Sequence, residues 1–101
     1  MKIVIIGGGL GGLFTGAILA KEGHQVMVLE KNATIGGGLQ TFERFGISFD
    51  TGMHVIGGMN PGGNIYRICQ YLGIINQVKI KSVDDDCMDS LYFAEDKTTY
   101  R

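Results

Sequence analysis

Read only as apolar and polar positions, the chain opens with "KIVII", residues 2–6, a short β-branched run of the kind that forms a parallel strand covered on both faces. After a run of glycines, "LFTGAILAKEG", residues 13–23, predicts a helix closed by Gly23. Leu13, Gly16, Ala17 and Ala20 recur on it at helical spacing, mostly small, as suits a helix lying close on a sheet. "QVMVLE", residues 25–30, predicts a second strand, so the opening reads β-α-β within about 30 residues. "LQTFERFGISFD" alternates around Phe42, Phe45 and Phe49 and predicts a hairpin turning at Gly46. "NIYRICQYLG" places Ile65, Ile68, Cys69 and Leu72 on one helical face, with Gly73 as the cap. "VKIKSV", residues 78–83, alternates as a half-buried strand, and "SLYFAEDKTTY" as a hairpin about "AEDK". No internal repeat or linker is visible.

Residues 3–20 carry no charge, which raises a secretory signal or a membrane helix as alternatives. Gly7, Gly8, Gly9, Gly11 and Gly12 fall inside that stretch, and each costs a helix interior about 1 kcal/mol relative to alanine. The single lysine before it and the poor cleavage site "AILAKEG" also disfavour targeting. With 101 residues, a net charge of -1 and 45% hydrophobic residues, the chain fits one soluble globular unit with a modest core. Lysine and arginine are scattered, so no nucleic-acid partner is expected. Cys69 and Cys87 show no metal-ligand spacing and read as free thiols in a reducing cytosol rather than as a disulfide or redox pair.

Gly7-x-Gly9-x-x-Gly12 joins the first strand to the helix. In that setting the first glycine permits a tight turn, the second lets backbone approach a pyrophosphate, and the third allows close helix–strand contact. The helix N-terminus adds unpaired N–H groups and a partial positive charge. Glu30 lies 21 residues after Gly9, where a carboxylate accepts hydrogen bonds from an adenosine ribose and repels a 2′-phosphate. These residues predict a dinucleotide site; a glycine-rich turn with a surface glutamate is the plain alternative.

A second glycine pair, Gly36-Gly37, is foreign to a plain NAD fingerprint. Residues 3 to about 41 resemble the N-terminal FAD-binding signature of the glutathione-reductase-like flavoprotein superfamily. That resemblance implies an α/β, Rossmann-like FAD/NAD(P)-binding domain with an added antiparallel β portion. It places Gly7, Gly9 and Gly12 along the FAD pyrophosphate, Glu30 on the adenosine ribose and Gly36-Gly37 beside the cofactor, with Leu13, Lys31 and Thr41 also expected among the cofactor-binding residues. "FERFGISFDTGMHVIGG", residues 42–58, is similar to the FDxG-x-H segment of the phytoene desaturase, carotenoid isomerase and retinol saturase group, and "MDSLYFAEDKTTYR" matches it loosely. Gly38 stands where amine oxidases carry arginine, and residues 38–68 lack the cysteines of disulfide reductases.

Asp50 and His54 support two readings: a loop against the flavin, or a turn cap beside a locally packed histidine. Asp84-Asp85-Asp86 reads as a solvated loop rather than a metal site. Members of the group run to several hundred residues, so the chain is expected to be an N-terminal part: βαβ at 2–30, a glycine-pair and hairpin region at 31–63, and a helix and β portion at 64–101. The substrate domain and the late FAD segment would lie elsewhere. The resemblance implies an FAD-dependent oxidoreductase acting on an apolar polyene with an electron acceptor or donor. Its expected place is the cytoplasm, with peripheral membrane association left open. An NAD-dependent dehydrogenase and a non-catalytic prenyl-protein-binding relative are the competing readings.

Overall fold

The computed structural model describes residues 1–83 and 89–101, so the readings of Asp84-Asp85-Asp86 and Cys87 lie outside the described residues. Strands β1 (Lys2–Ile6) and β2 (Gln25–Leu29) pair in parallel, from Lys2 opposite Gln25 to Ile6 opposite Leu29. The Gly7 N–H continues the ladder to the Leu29 carbonyl at 2.7 Å. Helix α1 (Leu10–Lys21) is the crossover that a parallel pair requires. It begins three residues before the predicted start, because Gly9 takes the extended N-cap position and its carbonyl accepts the Leu13 N–H at 2.9 Å. At the other end Gly23, at φ 93, turns the chain out of the helix.

Gly16 is buried where α1 meets the sheet; a Cβ there would lie 3.4 Å from the side chains of Ile5, Val26 and Val28. Ala17 and Ala20, expected on that face, are exposed. Helical steps of about 100° put Ala17 well off the covered stripe of Gly12, Gly16 and Leu19, whereas Ala20, about 40° from Gly16, is exposed in the last turn of α1. The sheet was expected to be covered on both sides. α1 covers Ile3, Ile5, Val26 and Val28, whereas Val4, Ile6, Met27 and Leu29 are 59%, 87%, 60% and 48% exposed. One crossover helix shields one face of a two-stranded sheet, and no other described element covers the second.

Strands β3 (Thr41–Arg44) and β4 (Ile47–Asp50) form the predicted hairpin. Phe45 (φ 54) and Gly46 (φ 73) both occupy the left-handed region, as a two-residue type I′ turn demands. Phe42 and Phe49, opposite each other, stack with centroids 5.5 Å apart. Helix α2 (Asn64–Leu72) ends at Gly73 in the left-handed conformation and buries Cys69, as its apolar face predicts. It is held to the end of α1 by Tyr71, whose hydroxyl donates to Glu22 and whose carbonyl accepts from the Lys21 ammonium. Strands β5 (Leu91–Phe93) and β6 (Thr98–Tyr100) form the last hairpin about residues 94–97.

The predicted strand at 78–83 does not form: the segment joins none of the three two-stranded sheets. Alternation marks a two-faced segment but names no pairing partner, and each sheet here is built by strands adjacent in sequence. The chain is elongated, 61 × 34 × 22 Å, and its radius of gyration of 17.9 Å exceeds the roughly 13 Å of a compact domain this long. Among the described residues Cys69 alone is a buried hydrophobic side chain, so the modest core expected from chain length is thinner than predicted.

Candidate functional site

The glycine turn between β1 and α1 has a separate physical reason at each motif position. Gly7 sits at φ 107, a conformation that side chains disfavour. Gly12 faces the Gly7 carbonyl so closely that a Cβ would stand 2.0 Å from its oxygen. Gly9 is different: a Cβ there would meet no atom within 4 Å. The fold leaves that space open, which is what a motif glycine reserved for an approaching ligand requires. Just beyond it, the N–H groups of Leu10, Gly11 and Gly12 have no acceptor one turn back. Leu13, half-buried, supplies the first N–H that turns inward.

Glu30 comes directly after the last residue of β2 and reaches across to this turn. Its Oε2 accepts the Gly8 N–H at 2.8 Å and its Oε1 accepts the Asn32 N–H at 3.0 Å. The Asn32 and Gly8 amides, in that order, hold its carboxyl below the usual glutamate value. They outweigh a partial desolvation that acts the other way, and the Lys31 amide and charge add to them. The Lys31 side chain itself is exposed.

The second glycine segment docks on the first. The Gly36 N–H donates to the Gly8 carbonyl at 2.7 Å, and a Cβ on Gly37 would lie 3.1 Å from Gly9 Cα. Both glycines have positive φ, 120 and 55. A third segment touches the second: Thr51 N–H donates to the Gln40 carbonyl at 3.0 Å, and a Cβ on Gly52 would sit 3.6 Å from the Gly38 carbonyl oxygen.

The structure therefore brings Gly7, Gly9, Gly12, Glu30, Gly36 and Gly37 into one backbone-lined cradle. Thr41 and Asp50 face each other at the base of the hairpin, one step removed from it. Asp50 Oδ2 and His54 Nδ1 are 3.7 Å apart, with both side chains exposed. His54 also borders an open groove between residues 54–60 and 78–83. The motif reading missed Gly8, which it treats as a free position although both of its polar backbone groups are engaged. The signal was present as the unbroken "GGG" of residues 7–9. Among the described residues no cluster of three or more histidine, cysteine, aspartate or glutamate side chains suits a metal ion, and no helix is long and apolar enough to cross a membrane.

The family profile described as "NAD(P)-binding Rossmann-like domain" matches residues 5–72. This chain belongs to that family. Its Rossmann-like relatives include the all-trans-retinol 13,14-reductase of Macaca fascicularis, 50% identical over 62 residues, covering 61% of this chain and 10% of the reductase. Prolycopene isomerase 2 of an Oncidium hybrid is 38% identical over 82 residues, covering 81% of this chain and 14% of the isomerase. These relatives place the Rossmann-like chain in the phytoene desaturase, carotenoid isomerase and retinol saturase group to which the 42–58 segment points. The crystal structure of a Pyrococcus furiosus protein superimposes with a TM-score of 0.69 at 30% identity, over 99% of this chain and 24% of that one. The chain thus spans about a tenth to a seventh of the length of the two relatives it matches.

Proposed function

We propose that this chain is the FAD-binding part of a flavin-dependent oxidoreductase that acts on carbon–carbon double bonds of an isoprenoid polyene. The observation that carries the reading is the docking of Gly36-Gly37 on Gly8-Gly9 beside the Glu30 carboxylate. It extends the pyrophosphate cradle past the adenosine end, where a mononucleotide or plain NAD site needs no second glycine pair. In this reading Gly7, Gly9, Gly12 and Leu13 line the diphosphate, and Glu30, with Lys31 next to it, faces the ribose. Gly36, Gly37 and Thr41 run along the ribityl side, and Asp50 and His54 lie toward the ring. The relatives' names, a retinol reductase and a prolycopene isomerase, support an apolar polyene substrate; a separate electron donor or acceptor is part of the same reading. When bound, the flavin supplies the hydride and electron chemistry, while the residues of this chain bind and orient it.

The test is spectroscopic. The purified full-length protein should be yellow, or become so on titration with FAD. Gly9→Val should fold, since a Cβ there meets no atom within 4 Å, yet stay colourless. A wild-type protein that ignores FAD and binds NAD would overturn the reading. So would a Gly9→Val variant that keeps its full flavin content.

A further inference from the structure

We propose that Glu30 is a positioning residue for the glycine turn, fixing the phosphate-facing amides through the Gly8 peptide before any ribose arrives. The inference rests on the dinucleotide reading above and adds a second role to the same carboxylate.

Three successive glycines, Gly7 to Gly9, form the most freely jointed backbone a chain can have, so holding them in one conformation needs anchors. Besides the Gly9 carbonyl, which opens α1 by accepting the Leu13 N–H, the structure shows three. The Gly7 N–H goes to the Leu29 carbonyl, and the Gly8 carbonyl accepts from the Gly36 N–H. The Gly8 N–H goes to Glu30 Oε2 at 2.8 Å. The first two are backbone to backbone; the third depends on a side chain. Gly8 is buried and its bond to Glu30 part-buried, so an N–H that lost this acceptor would exchange a fixed partner for, at best, loosely held water. The fit is close, since a Cβ on Gly8 would lie 3.0 Å from Oε2 and 3.3 Å from Ile35 Cγ2.

The other carboxylate oxygen takes the Asn32 N–H and so restrains the loop that delivers Gly36 and Gly37. One side chain thereby ties both glycine segments together. Each oxygen accepts one backbone bond in the structure and keeps further lone-pair capacity. Ribose hydroxyls can therefore be accepted without breaking either bond, and the two roles are separable by experiment.

The separation uses a ligand without ribose hydroxyls. Apo full-length protein is titrated calorimetrically with ADP and with 2′,3′-dideoxy-ADP, as wild type, Glu30→Ala and Glu30→Gln. If Glu30 positions the turn, Glu30→Ala weakens the dideoxy ligand by about fivefold, the scale of one hydrogen bond's net worth. Glu30→Gln should restore most of that loss, because its amide oxygen still accepts the Gly8 N–H. Equal dideoxy-ADP affinity in wild type and Glu30→Ala would overturn the proposal. A second measurement needs no variant: the Gly8 amide of the apo wild type should exchange slowly with solvent, and fast exchange would also overturn it. A wild type that binds neither nucleotide defeats the dinucleotide reading instead, and Gly8 exchange still decides whether Glu30 holds the turn.

Discussion

Replacing Gly12 by alanine tests the closest approach in the fold. The new Cβ would start 2.0 Å from the Gly7 carbonyl oxygen, and Cβ contacts under 3.0 Å are essentially never seen. Reaching even that limit separates the start of α1 from the end of β1 by about 1 Å, because the opposing atom is backbone and cannot swing away. Overpacking of this kind costs about 1–3 kcal/mol. The better helix propensity of alanine offsets at most about 1 kcal/mol of it. Gly16→Ala is the matched control on the same helix face. Its Cβ would rest at an ordinary contact distance of 3.4 Å from three side chains, so it keeps the propensity gain and should be neutral to about 1 kcal/mol more stable. Comparing the two variants cancels the unfolded-state effect of removing a glycine. Urea denaturation of the full-length protein reads the difference as a shift in midpoint at constant slope. Gly12→Ala should fall well below both wild type and Gly16→Ala, and should also lose nucleotide affinity as the Leu10 and Gly11 amides move. A Gly12→Ala protein as stable as Gly16→Ala would show that α1 does not approach β1 as described.

Phe45 holds a left-handed conformation at 98% exposure, so Phe45→Asn, which suits the type I′ turn, should raise stability by about 0.5–1 kcal/mol in thermal melts. A lower melting temperature would mean that the phenyl ring has a partner. The Glu30 carboxyl should titrate below the ordinary 4.5, read from its carbon-13 shift. Because the folded-state value is the lower one, its contribution to stability is complete above 4.5 and disappears as pH falls through the folded value. A midpoint above 4.5 would contradict the two amide hydrogen bonds.

The parts that the sequence made legible are those where local chemistry and long-range need coincide. "KIVII", the glycine motif and "QVMVL" specify strand, turn and strand joined by one crossover helix, for which one hand is strongly preferred, so β1, α1 and β2 are set with little freedom. The hairpin at Gly46 and the buried face of α2 come from turn chemistry and a sharp apolar stripe. α1 is the counterexample. "LGGLFTGAIL" is apolar or small all round, so periodicity cannot choose its covered side, and the expected alanines proved exposed. Residues 78–83 show the complementary limit, because alternation carries no information about a partner strand. In the candidate site, the motif glycines and Glu30 were legible from spacing. Gly8 was not, because its importance lies in two backbone hydrogen bonds that leave no mark on residue type beyond the permission to be glycine.

The docking of the second glycine pair on the first has a kinetic side. The Gly8–Glu30 bond spans 22 residues, the Gly8–Gly36 bond closes a loop little longer, and the β1–β2 pairs close one of similar length. Loop-closure entropy grows slowly with length, so these non-local pairings cost only modestly more to close than shorter ones. The whole cradle is thus encoded before residue 38, ahead of both hairpins and α2. As the chain emerges from the ribosome, this nucleotide-facing surface can assemble while everything downstream is still being synthesised. A cofactor captured at that stage would act as a template on which the later segments fold.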